Sequence, residues 1–91
     1  MRLDGKTTIV TGAGSGLGRG IAIFLATQGA RVVCSDLNAN AAAETANSIR
    51  TQDFLATSTY VDVTDSESIN VMVNLAVKEF GDLSILVNNA G

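Results

Sequence analysis

The 91-residue sequence predicts an α/β fold in three layers, helices on both faces of a parallel sheet, with strand order 3-2-1-4. Three observations predict it. Short β-rich runs alternate with helix-period segments in the order β-α-β-α-β-α-β, with no linker, repeat or low-complexity stretch between them. The strands are nearly continuous apolar runs, as a sheet covered on both faces requires. Right-handed crossovers then place strands 1 and 4 side by side, with the order reversing between them.

Each element has its own signal. Residues 6–12, "KTTIVTG", form a β-rich run ending in glycine and read as strand 1. The first helix carries Leu17, Ile21, Phe24 and Leu25 at helical spacing and stops at Gly29, with Phe24 expected in the core. Residues 30–36, "ARVVCSD", are strand 2, with Cys34 as a small buried residue. Asn38 or Asn40 caps the next helix, whose stripe of Ala42, Ala46 and Ile49 is thin and predicts weak anchoring. Residues 54–63, "FLATSTYVDV", read as strand 3. "TDSE", Thr64 to Glu67, reads as a capping box opening a third helix with Ile69, Met72, Val73, Ala76 and Phe80 inward and Gly81 as its stop. Residues 83–89, "LSILVNN", are strand 4.

Composition excludes several function classes. Six Lys and Arg against nine Asp and Glu give a net charge of -3, which leaves no basic stripe for nucleic acid. The opening "MRLDGK" has no apolar core of a signal peptide, and no apolar run is long enough to span a membrane. One cysteine cannot form an internal disulfide, and with no histidine the usual Cys/His metal constellations cannot be built. These features predict a protein of a reducing compartment, the cytoplasm.

The chemistry-bearing stretch is "TGAGSGLG", Thr11 to Gly18, with four glycines in eight residues. It joins strand 1 to helix 1 at the point where the strand order reverses, where open parallel sheets bind ligands. The first turn of a helix offers unpaired N–H groups and a positive dipole end, which suit a pyrophosphate. Gly12 serves the tight turn, Gly16 lets backbone approach the phosphates, and Gly18 lets the helix lie close to the strand. The G-x-x-x-G-x-G spacing at 12, 16 and 18 differs from the common G-x-G-x-x-G, and a second match at 14, 18 and 20 lies too far from the strand. "GKT" at Gly5 to Thr7 precedes the strand and lacks the upstream glycine of a P-loop. Asp36 ends strand 2, where a carboxylate accepts both hydroxyls of an adenine ribose. It also repels a 2′-phosphate: two like charges ~4 Å apart cost roughly 4 kcal/mol at an effective dielectric of about 20. NAD is therefore expected over NADP. Arg19, in the first helical turn, reads as a solvated surface residue.

"TGAGSGLG", together with "DV" at Asp62 and Val63 and "NNAG" at Asn88 to Gly91, resembles the short-chain dehydrogenase/reductase family over the whole chain. The resemblance implies a Rossmann-type fold truncated after strand 4, one incomplete NAD(P)-binding domain over residues 1–91, and hydride transfer between a nicotinamide cofactor and an alcohol or ketone. It implies cofactor contacts from Gly12, Gly14, Ser15, Gly16, Leu17, Gly18, Asp36, Leu37, Asp62, Val63, Asn89, Ala90 and Gly91, with Asn88 tying the sheet together. It also implies a Ser, a Tyr and a Lys in catalysis, the last two spaced Y-x-x-x-K. Here the only tyrosine is Tyr60 and the only lysines are Lys6 and Lys78, so no such spacing occurs and no catalytic residue is assigned. The expected parent is a homo-oligomer, and the 91 residues alone are expected to be inactive and to self-associate through the apolar edge of strand 4. A non-catalytic NAD-binding module and an inactive truncated product are the alternatives.

Overall fold

The computed structural model describes residues 2–89. Seven elements follow in the expected order: β1 (Thr7–Thr11), α1 (Gly16–Thr27), β2 (Arg31–Asp36), α2 (Ala39–Arg50), β3 (Ala56–Tyr60), α3 (Ser66–Phe80) and β4 (Ile85–Val87). The sheet runs β3-β2-β1-β4 and every pairing is parallel. Thr11 pairs with Ser35, and Asp36 pairs with Tyr60, so the ends of β1, β2 and β3 form one rim.

Alternate strand residues feed two separate cores. Val10, Val32, Cys34 and Ala56 meet α1 and α2 on one face; Ile9 and Val33 meet Met72 and Ala76 of α3 on the other. Cys34 is fully buried, as expected. Burial pushes its thiol up to about 12, so it stays protonated and inert.

The sequence reading needs correction at several points. α1 does not bury Leu17 and Phe24, which are 73% and 52% exposed. Its buried face is the adjacent stripe Gly18, Ala22, Leu25 and Ala26. The helix lies so close to the sheet that mostly small residues fit, and the larger apolar stripe is turned aside. α2 is better held than its thin stripe suggests. Ala42, Ala46 and Ile49 are all buried, and Thr45 joins them. The Thr45 hydroxyl donates to the Ala13 carbonyl at 2.8 Å, and Arg50 donates to the Ala56 carbonyl at 2.8 Å. Asn38 is its N-cap, accepting from the Ala41 amide.

β3 is shorter than the apolar run because its exit is bent by side chains. Asp62 accepts from the Thr64 amide at 2.9 Å and turns the chain toward α3. That turn also displaces the expected capping box. Thr64 donates its hydroxyl to Asp62 at 2.6 Å, and Asp65 is the N-cap instead, accepting from the Glu67 amide at 3.0 Å. Gly81, with φ 88°, ends α3 as expected. No helix among the described residues is long and apolar enough to cross a membrane.

Candidate functional site

The site lies at the carboxyl ends of the strands, where β1 sits between β2 and β4. After Thr11 the chain turns at Gly12 with φ 67°, a conformation that L side chains rarely adopt. The Ala13 amide then donates to the Ser35 carbonyl at 2.9 Å, pinning the bend to β2. Gly16 also has positive φ, 55°, and nothing lies within 4 Å of where its Cβ would stand. At Gly18 the space is filled: a Cβ would fall 1.9 Å from the Gly12 carbonyl oxygen and 2.7 Å from Asn89 Nδ2. The expected roles of Gly12 in the turn and Gly18 in close helix–strand approach are both visible in this geometry.

The start of α1 differs from the other two helices. Asn38 caps α2 and Asp65 caps α3 with side-chain oxygens, and α3 has Glu67 in its first turn. Ser15, the N-cap of α1, makes no side-chain cap bond, and the first turn has no acidic residue. The N–H groups of Gly16, Leu17 and Gly18 have no acceptor within the helix. With the dipole behind them they make an end suited to an anion. Ser15, Gly16 and Leu17 are exposed, so this end faces outward.

Around the bend stand the other expected residues. Asp36 is held at both oxygens: Oδ2 accepts from the Gly14 amide at 2.8 Å and Oδ1 from the Asn38 amide at 2.9 Å. Leu37 beside it is exposed. Asp62 has a pKa below the ordinary carboxylate range, chiefly because the Thr64 hydroxyl donates to it, and secondarily because the Thr64 amide does. The Asp62 amide donates to the Ser68 hydroxyl at 2.9 Å, fixing the backbone from the α3 side. Asn88 and Asn89 are tied to β1 through Thr11. The Thr11 hydroxyl donates to Asn88 Oδ1 at 3.2 Å and accepts from the Asn89 amide at 3.0 Å. Ala90 and Gly91 lie outside the described residues.

A cavity of about 80 Å³ opens on the α3 side of this rim, lined by Thr11, Val63, Ile69, Met72, Leu86 and Asn88. It is too small for a dinucleotide and contains none of the glycines. Of the expected contacts only Val63 borders it.

One expectation changes here. Arg19 is not simply solvated; it donates to Ser48 at 3.0 Å and to Thr45 at 3.4 Å, bridging α1 to α2. The Gly14 amide is given to Asp36. Sequence reasoning missed Thr45, Thr64 and Ser68 as supports of the site. Their contacts depend on which strand ends meet, so only Thr64, two residues from Asp62, had a local signal.

A parallel α/β sheet with a glycine bend, an uncapped helix start and a carboxylate on the neighbouring strand defines the dinucleotide-binding class of α/β domains. Within that class the chain belongs to the short-chain dehydrogenase family, whose model matches residues 6–91. It is 44% identical over 91 residues to the 7alpha-hydroxysteroid dehydrogenase of Escherichia coli (strain K12), covering 100% of this chain and 36% of that protein. It is 42% identical over 90 residues to the D-threitol dehydrogenase of Mycolicibacterium smegmatis, covering 99% of this chain and 35% of that one. A solved structure of 7 alpha-hydroxysteroid dehydrogenase complexed with NADH and 7-oxo glycochenodeoxycholic acid superposes with a TM-score of 0.96 at 44% identity, covering 99% of this chain and 35% of the other. The chain thus spans about a third of the length of the curated relatives it matches.

Proposed function

We propose that these residues form the cofactor-binding part of an NAD-dependent oxidoreductase acting on an alcohol or ketone. The observation that carries the reading is the outward-facing, uncapped start of α1 behind a glycine bend at the sheet's switch point. In this reading the amides of Ser15, Gly16, Leu17 and Gly18 hold the pyrophosphate, with Gly12 making the turn. Asp36 accepts the hydroxyls of the adenine ribose, beside Leu37. Asp62 and Val63 flank the adenine. Asn89, Ala90 and Gly91 continue the cofactor contact from β4.

The residues present fit a dinucleotide. A carboxylate at Asp36 suits an unphosphorylated ribose diol, and among the described residues it has no ion pair, Arg19 being engaged on α2. This favours NAD over NADP. When bound, the nicotinamide supplies hydride acceptance and donation. The solved relative with NADH supports the cofactor class. Relatives named for a hydroxysteroid and for threitol support a hydroxyl-bearing substrate and leave its size open. We place the protein in the cytoplasm and its full-length parent in a homo-oligomer.

The lack of any Y-x-x-x-K in the sequence favours a second reading for the 91 residues alone, binding without turnover. Calorimetric titration with NAD and NADP tests the first claim. Saturable NAD binding, at least about tenfold tighter than NADP (about 1.4 kcal/mol), is expected. No binding at millimolar NAD contradicts it.

A further inference from the structure

Resting on the dinucleotide reading above, we propose that Gly14 is a positioning residue for cofactor selectivity: its amide and its missing side chain together set the orientation of the Asp36 carboxylate.

Three observations carry this. The Gly14 amide donates to Asp36 Oδ2 at 2.8 Å across 22 residues of sequence. A Cβ at Gly14 would stand 2.6 Å from the Ala41 Cβ, 2.8 Å from Asp36 Oδ2 and 3.1 Å from Asp36 Cγ. The other carboxylate oxygen is held by the Asn38 amide at 2.9 Å. Gly14 is buried, so its neighbours have to give way to any added side chain. Ala41 sits in the first turn of α2, where Asn38 caps its amide and Ala42 beside it is fully buried. The Asp36 carboxylate turns about two single bonds and is only partly buried. A side chain at position 14 therefore turns the carboxylate aside and also presses on Ala41 at the start of α2, whose Cβ cannot rotate away.

The consequence separates two cofactors. A carboxylate turned away loses its grip on a ribose diol, which weakens NAD. It also relieves repulsion of a 2′-phosphate, which spares NADP. Gly14 thus acts on selectivity, while Gly12 and Gly18 act on the bend that both dinucleotides share. The second glycine of the stretch makes room for a carboxylate, not for a phosphate.

Gly14→Ala in the 91-residue chain is the test, with dissociation constants for NAD and NADP measured against wild type, Asp36→Ala and the double variant. Gly14→Ala is expected to weaken NAD about tenfold and to leave NADP unchanged or tighter. In the Asp36→Ala background the same substitution is expected to change NAD binding less than about twofold. Equal losses for both cofactors, or an undiminished loss in the Asp36→Ala background, overturn the proposal while leaving the dinucleotide reading intact. A wild-type chain that binds neither dinucleotide overturns both. If Gly14→Ala does not fold, the Gly14 amide proton resonance in Asp36→Ala decides. An upfield move relative to wild type supports the link, and an unmoved resonance refutes it.

Discussion

Gly18 carries the tightest steric constraint at the site. Its absent Cβ would stand 1.9 Å from a backbone oxygen, which cannot rotate aside as a side chain would. Gly18→Ala must push α1 off the bend. Overpacking of this kind costs about 1–3 kcal/mol, and a domain of this size loses roughly 4–8 °C in melting temperature per kcal/mol. We expect a fall of at least about 4 °C by circular dichroism, with NAD affinity down at least about tenfold because the first-turn amides move with the helix. An unchanged melt and unchanged affinity would remove Gly18 from the site. At this scale the sequence was legible wherever a residue type is itself the message. Glycines at 12 and 18 announce a turn and a close approach, and Asp36 announces itself by ending an apolar run. The hydrogen bonds that aim Asp36 were not legible. The donors are backbone amides of Gly14 and Asn38, and a backbone amide carries no residue signature.

The helices are held by contacts between elements more than by their own apolar stripes. Thr45 illustrates this on α2. It is fully buried and donates to the Ala13 carbonyl within the bend, so α2 supports the loop that α1 grows from. Thr45→Val keeps the shape and removes the donor. Leaving the Ala13 carbonyl without it costs about 1–3 kcal/mol. A chemical denaturation midpoint lowered by that free energy divided by the slope, with the slope itself unchanged, is expected; an unaltered midpoint would show that the bond contributes nothing. Helix existence and order were readable from periodicity. The buried face of α1 was not, because the pattern has two adjacent apolar stripes and the sequence does not say how near the sheet lies. Leu17 and Phe24 make the larger stripe, yet close approach favours Gly18, Ala22 and Ala26. The start of α3 was misread for a similar reason. Thr64 matches a capping pattern, but Asp62 is an acceptor within reach and takes its hydroxyl.

Over the molecule as a whole, the strand order follows from alternation and handedness, and this is why it could be read without side-chain detail. Among the described residues the cover of the sheet is uneven: two helices lie on one face and α3 alone on the other. Among the described residues β4 pairs only with β1, and its Leu86 is 51% exposed beside the cavity under α3. An apolar, unpaired strand edge is a template for association. Light scattering of the 91-residue chain is expected to show a mass that rises with concentration, whereas a constant monomer mass would show the edge to be inert. Dinucleotide binding is proposed at the carboxyl ends of the strands, around the start of α1. The most direct measurement follows the backbone amide resonances of the labelled chain during titration with NAD. Saturable shifts are expected at Gly16, Leu17 and Gly18, the first turn of α1. Millimolar NAD that leaves these three amides unmoved would contradict that proposal.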